Sequence, residues 1–259
     1  MFQLEYSERG EGEAVVLLPP FPFDRRYWSA NVPALVAAGF RAVTIDYPGF
    51  GPTRAPPAAR ADGFSIADIA AGVAALLERL RIGRATLLGL SMGGYVALAF
   101  AASFADRLRA LVLADTRAAA DTPAARQGRV QALETIATRG VDAYLEQSLP
   151  RLLAPGSPPS LLAAVRALAE ERAPAVTAGI AALRDRPDRT AEAPRITCPT
   201  LLLVGEHDQI VPPAELRALG EGMPAARFVE LPGAGHLANL EARAAFDDQV
   251  VGFLRSLPA

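Results

Sequence analysis

Thr86-Leu87-Leu88-Gly89-Leu90-Ser91-Met92-Gly93-Gly94-Tyr95-Val96-Ala97 reads as a short apolar strand, a Gly-x-Ser-x-Gly turn and the start of an Ala-rich helix. A serine on so sharp a strand-to-helix turn is lifted clear of the sheet with its hydroxyl exposed. The backbone there is strained and tightly packed, so the flanking positions must be small; Gly89 and Gly93 meet that need. A helix beginning beside Ser91 also points its positive end at the hydroxyl. The alternative reading is a plain turn with a capping serine, so the rest of the chain has to decide between them.

Working outward, other apolar runs resemble the one before Ser91. Ala14 to Leu18, Arg41 to Ile45, Ala85 to Gly89, Leu108 to Ala114, Thr200 to Val204 and Ala226 to Leu231 are short and β-rich, as strands buried on both faces are. Gln3-Leu4-Glu5-Tyr6 is expected to add an antiparallel edge strand. Helical patterns alternate with the runs over Tyr27 to Ala37, Ser65 to Leu80, Ser91 to Ser103, Pro213 to Glu221 and Asn239 to Leu257. This alternation predicts an α/β chain with a doubly wound, mostly parallel sheet. From about Thr116 to Pro194 the pattern is helical only: Ala124 to Gly140, Val141 to Leu149, Ser160 to Arg172 and Val176 to Leu183, broken at Ala154 to Pro159 and at Arg186-Pro187. The expected organisation is a core over 1–115 and 195–259 with a helical lid inserted at 116–194. Pro52 to Gly63, rich in Pro and Ala, reads as a surface loop.

Ligands of such sheets sit beyond the carboxyl ends of the strands, and chemistry collects there in this chain. Gly205-Glu206-His207-Asp208 follows one strand and Pro232-Gly233-Ala234-Gly235-His236 follows another. Ser91, Asp208 and His236 thus stand in the order nucleophile, acid, base, each in a loop just past a strand. Serine is a poor nucleophile at neutral pH; a histidine takes its proton, and a buried acid fixes the histidine tautomer. His207 adjoins Asp208, so the two side chains diverge and His207 is read as a bystander. Asp115, after another strand, is the rival acid.

Composition excludes several alternatives. The 259-residue chain is long enough for one large core. Its net charge is −2, with no basic block, so no nucleic-acid partner is expected. All 26 basic residues are arginine, which rules out Schiff-base, lysine-base and P-loop chemistry. The lone Cys198 forms no internal disulfide, and with His207 and His236 as the two histidines there is no Cys/His zinc cluster. The N-terminal residues lack a signal-peptide pattern, and no apolar run approaches the roughly 18 residues of a membrane span. A cytoplasmic protein with no membrane partner is expected.

Taken together, Leu17-Leu18-Pro19-Pro20-Phe21-Pro22-Phe23-Asp24, Asp46-Tyr47-Pro48-Gly49-Phe50-Gly51, Gly89 to Gly94, Cys198 to Asp208 and Gly233 to Glu241 resemble the α/β-hydrolase fold superfamily. The likeness is to 3-oxoadipate enol-lactonases and small serine carboxylesterases. It implies a serine hydrolase that cleaves a small-molecule ester or lactone, with no metal or organic cofactor. Ser91 is then the nucleophile, His236 the base and Asp208 its orienting acid. The family usually has His-Gly where this chain has Pro19-Pro20. Prolines have no N–H, so the matching oxyanion donors are the Phe21 and Met92 amides. A cis Phe21-Pro22 bond is suggested by some relatives. Phe23, Trp28, Tyr95, Tyr144 and Leu237 are candidate pocket residues beside Phe21, and Arg25, Arg26 and Arg117 are candidates to meet an acidic substrate group. Two other readings stay open: cofactor-free peroxidation or C–C bond hydrolysis by the same three residues, and a non-hydrolytic ligand-binding module on the same fold.

Overall fold

The computed structural model describes residues 3–51 and 63–258; most of the Pro- and Ala-rich stretch, 52–62, lies outside the described residues. Among the described residues seven strands form one sheet: β1 (Tyr6–Arg9), β2 (Ala14–Leu18), β3 (Arg41–Ile45), β4 (Ala85–Leu90), β5 (Leu108–Ala114), β6 (Thr200–Gly205) and β7 (Ala226–Leu231). Their spatial order is β1-β3-β2-β4-β5-β6-β7, parallel throughout except for β1, which pairs antiparallel to β3. The edge strand therefore exists but lies later than expected. Its register runs from Tyr6 against Ile45 to Arg9 against Ala42, and Gly10 at φ 79° turns the chain out of it.

The continuous apolar runs follow from burial on both faces. Val16, Leu18, Val43, Ile45, Leu87, Leu111, Leu113, Leu202 and Val204 join one core cluster, while Val15, Leu17, Ala42, Leu88, Leu90, Val112, Leu201 and Leu203 join the other. Alternate residues of each strand thus feed opposite faces. The first cluster is covered by α2 (Ile66–Arg79), α3 (Met92–Ser103) and α7 (Pro213–Glu221); the second by α1 (Val32–Ala37), α8 (Ala238–Glu241) and α9 (Arg243–Ser256). α3 is buried over Met92 to Ala101 and has no polar face, as befits a central helix. α2 is amphipathic and opens on a capping box, Ser65 and Asp68 exchanging side-chain and backbone bonds.

Two expected helices are divided. Arg25–Ala30 is a 3-10 turn capped by the Asp24 side chain, and α1 starts only after Asn31. The last helical pattern breaks at Ala242, whose ψ of 44° separates α8 from α9.

Between β5 and β6 lie α4 (Pro123–Ser148), α5 (Pro159–Leu168) and α6 (Ala173–Arg184). α4 is bent at Gly140, where φ 86° and ψ 168° interrupt the helix. α5 is shorter than its pattern, because Ala169 leaves it to make a β-bridge with Phe23 and the Glu170 N–H donates to Pro22 O at 2.8 Å. This segment is therefore bound directly to the loop after β2.

Candidate active site

Ser91 joins β4 to α3 at φ 52°, ψ −113°, a backbone conformation that bulky residues avoid. Its surroundings explain the glycines. A Cβ on Gly89 would stand 2.2 Å from Gly93 O, and one on Gly93 would stand 2.1 Å from Leu18 O. Across from them, Thr116 Oγ1 donates to Ser91 O at 2.8 Å, and Ser91 N–H donates to Ala114 O at 2.9 Å. The strained turn is thus tied to β5 and left no room to relax.

The structure brings together the three residues expected there. His236 Nε2 lies 2.8 Å from Ser91 Oγ, and His236 Nδ1 lies 2.8 Å from Asp208 Oδ2. His236 and Asp208 are buried, while Ser91 keeps partial exposure. Asp208 Oδ1 accepts the Ile210 and Val211 N–H groups at 2.7 and 2.9 Å. With Oδ1 taken by two backbone donors, Oδ2 is the acceptor left for the Nδ1 proton, which leaves Nε2 to accept the Ser91 O–H. His207 points elsewhere: its side chain is half exposed and lies 3.8 Å from Glu206.

Phe21 and Met92 belong to the loop after β2 and the first turn of α3. The Phe21-Pro22 peptide is cis. Tyr47 Oη donates to Pro19 O at 2.6 Å and Phe23 N–H to Pro20 O at 3.0 Å, which fixes the path of the two-proline segment. Among the described residues, neither the Phe21 nor the Met92 N–H is spent on a backbone partner in a turn or loop.

The candidate pocket residues separate. Phe23, Trp28 and Leu237 have no exposed surface. They pack in the second core cluster, with Phe23 on Tyr27 and Trp28 on Tyr27 and Phe246. The same burial that fixes a strand draws loop aromatics just past it against the core. Tyr95 is also buried, under the Arg186 guanidinium at 4.2 Å. Tyr144, from α4, lies beside Phe21 with ring centroids 6.5 Å apart. Sequence reasoning missed Phe50, edge-on to Phe21 at 6.1 Å, and Gly179, where a Cβ would meet the Phe21 ring at 2.5 Å. The Pro48-Gly49-Phe50-Gly51 turn was the available signal for Phe50; Gly179 had none.

The candidate arginines are all engaged. Arg25 pairs with Asp46 at 3.2 Å, Arg26 with Asp24 at 2.8 Å and Arg117 with Glu215 at 3.1 Å. Sequence reasoning also missed Glu241, whose carboxylate accepts from Ala154 N and Ser157 Oγ with Oε1 and from Gly235 N with Oε2, at 2.7 to 2.8 Å. It thereby joins the loop carrying His236 to the segment after α4. Among the described residues no group of three or more His, Cys, Asp or Glu is placed to hold a metal ion, and no helix is long and apolar enough to cross a membrane.

The fold has close counterparts. A thermophilic esterase from Thermogutta terrifontis superposes with a TM-score of 0.91 at 34% identity, over 99% of this chain and 94% of that one. The enol-lactonase of Burkholderia xenovorans LB400 gives 0.88 at 31%, over 98% and 96%. By sequence, a Mycobacterium tuberculosis protein that carries the name of a non-heme bromoperoxidase is 29% identical over 269 residues, covering all of both chains. The family model described as the alpha/beta hydrolase fold matches residues 13–243. With its parallel sheet, its strained serine turn and that match across most of its length, the chain belongs to the alpha/beta hydrolase fold family.

Proposed function

We propose that the protein is a serine hydrolase that cleaves a small-molecule carboxylic ester or lactone through an acyl-enzyme. The observation that carries this reading is the relay from Ser91 Oγ through His236 to Asp208, with 2.8 Å at each step. Ser91 Oγ attacks the carbonyl carbon as its proton passes to His236 Nε2. The carbonyl oxygen, now negative, takes hydrogen bonds from the Phe21 and Met92 N–H groups, helped by the positive end of α3. The C–O bond then breaks and the imidazolium returns its proton to the leaving alcohol, which stays tethered when the substrate is a lactone. Water, deprotonated by His236, attacks the acyl carbon and Ser91 leaves with the proton restored. Asp208 holds the Nδ1 proton in place and steadies the imidazolium throughout.

The helical segment at 116–194 acts in this reading as the lid over the core formed by 1–115 and 195–259. Support comes from its attachments: Ala169 bridges Phe23, and Tyr144 and α6 close on Phe21. A serine nucleophile in such a relay suits esters and lactones, and the esterase and enol-lactonase likenesses favour the same class. The test is turnover of short p-nitrophenyl esters and a graded set of lactones by the native chain and by Ser91→Ala. Turnover lost in the variant supports the proposal, and retention by pure Ser91→Ala overturns it.

A second reading, cofactor-free peroxidation through a peracid formed at Ser91, is favoured by the likeness to the protein named as a bromoperoxidase. It uses the same acyl-enzyme with hydrogen peroxide in place of water, so assaying peracid formation beside ester hydrolysis separates the two.

A further inference from the structure

We infer that Asp115 is a positioning residue for the relay, its carboxyl holding the end of β6 that leads to Asp208 where it packs against the loop that carries His236. The inference rests on the serine-hydrolase reading. Asp115 follows β5 directly, is fully buried, and sits at φ 47°, a left-handed conformation that Asp tolerates better than most residues. Strain of this kind persists only where the surroundings over-determine it. Here its own N–H donates to Leu203 O at 2.9 Å, and its Oδ1 accepts the Gly205 N–H at 2.8 Å. Gly205 lies just ahead of Asp208.

The Asp208 and His236 loops are pressed together. A Cβ on Gly205 would stand 2.1 Å from Gly235 O, and His207 N–H donates to Ala234 O at 2.8 Å. By fixing Gly205 at this contact, the Asp115 carboxyl sets the spacing between acid and base.

Its charge state fits that role. Asp115 Oδ2 is buried without a hydrogen-bond partner. Burial first, and the neighbouring Asp208 second, hold the Asp115 carboxyl well above the usual carboxylate range, so it stands as a neutral acid. The other groups facing it do not offset this: Glu241 is acidic, and the Tyr27 hydroxyl is committed to Asn239 Oδ1 at 2.5 Å. Asp208, by contrast, faces two backbone donors and His236 Nδ1.

The test compares Asp115→Ala, Asp115→Ser and Asp115→Asn. Ala and Ser lack the carboxyl oxygen that holds the Gly205 N–H, and kcat falls at least about 10-fold with KM little changed, the scale of a slightly misplaced catalytic pair. The acid limb of the pH–kcat/KM profile moves to lower pH in both, because a displaced Asp208 steadies the imidazolium less. Asn keeps the acceptor and the neutral charge, recovers about 10-fold over Ala and returns the acid limb to its native position. Native kcat in either short variant overturns the inference. So does an Asn variant as impaired as Ala, which would mean that Asp115 works ionised. Fluorophosphonate labelling of native Ser91 separates the two levels: an unlabelled native chain overturns the hydrolase reading and this inference with it, while labelled protein with an indifferent Asp115 overturns the inference alone.

Discussion

Gly93 stands so close to Leu18 that a Cβ added to it would meet the Leu18 carbonyl oxygen at 2.1 Å. The contact is between backbones, at the crossing of α3 over β2, so neither side has a rotamer to change. Gly93→Ala is expected to destabilise the chain by at least about 2 kcal/mol, as overpacking of a rigid site does, and to lower ester turnover by tilting the Ser91 turn. Thermal or urea denaturation with a turnover assay checks both. The same change at Gly128, where a Cβ would meet nothing within 4 Å, is the control and is expected to be close to neutral.

Asp208→Asn tests the division of labour within the relay. The Ile210 and Val211 N–H groups require an oxygen at the Oδ1 position. The amide nitrogen must then face His236 Nδ1, which forces the ring proton onto Nε2, where it opposes the Ser91 O–H. A fall in kcat of about 10³–10⁴-fold with an unchanged fold is expected. A loss below 10-fold would show that Asp208 does not set the tautomer.

The reading of the sequence succeeded where local chemistry and tertiary need coincide. Ala14–Leu18, Arg41–Ile45, Leu108–Ala114 and Ala226–Leu231 stand at the bounds their apolar runs announce. Ser91, Asp208 and His236 were legible because each follows a strand in a fixed order. What escaped was set by packing between distant segments. α5 ends at Leu168 because Ala169 bridges Phe23, a partner 146 positions earlier that no helical period reveals. Trp28 is of a type shared by pockets and cores, and its packing on Phe246 of α9, distant in the chain, was beyond the reach of local pattern. Glu241 looked like an ordinary helical glutamate until the fold set the Ala154, Ser157 and Gly235 donors around it.

Glu241→Ala leaves those three donors without their acceptor. The expected cost is about 2–4 kcal/mol of stability, with a fall in kcat as the His236 loop loosens from the segment after α4. Urea denaturation and turnover measure the two effects. A stability change under about 1 kcal/mol would mean that water replaces the carboxylate freely.

Asp46 makes a prediction about pH. It is fully buried, accepts the Arg25 N–H at 2.8 Å and pairs with the Arg25 guanidinium at 3.2 Å. Burial outweighs both and pushes its carboxyl from the ordinary 3.8 up to about 6. A carboxyl that holds its proton more tightly when folded stabilises the fold below its unfolded value, and loses that contribution as pH rises through the folded one. Native stability relative to Asp46→Asn should therefore decline between about pH 4 and pH 7.5, by on the order of 1–3 kcal/mol. Parallel denaturation curves at the two pH values read this difference, and a gap that stays constant or widens in favour of Asp46 contradicts it.

The central claim is that Ser91 is the nucleophile of a hydrolytic relay, and a fluorophosphonate probe read by intact mass and peptide mapping tests it most directly. The native chain is predicted to gain one adduct, on Ser91, and to lose ester turnover in step with labelling, while His236→Ala labels far more slowly. An unmodified Ser91 in folded native protein, or full modification without loss of turnover, would contradict the account.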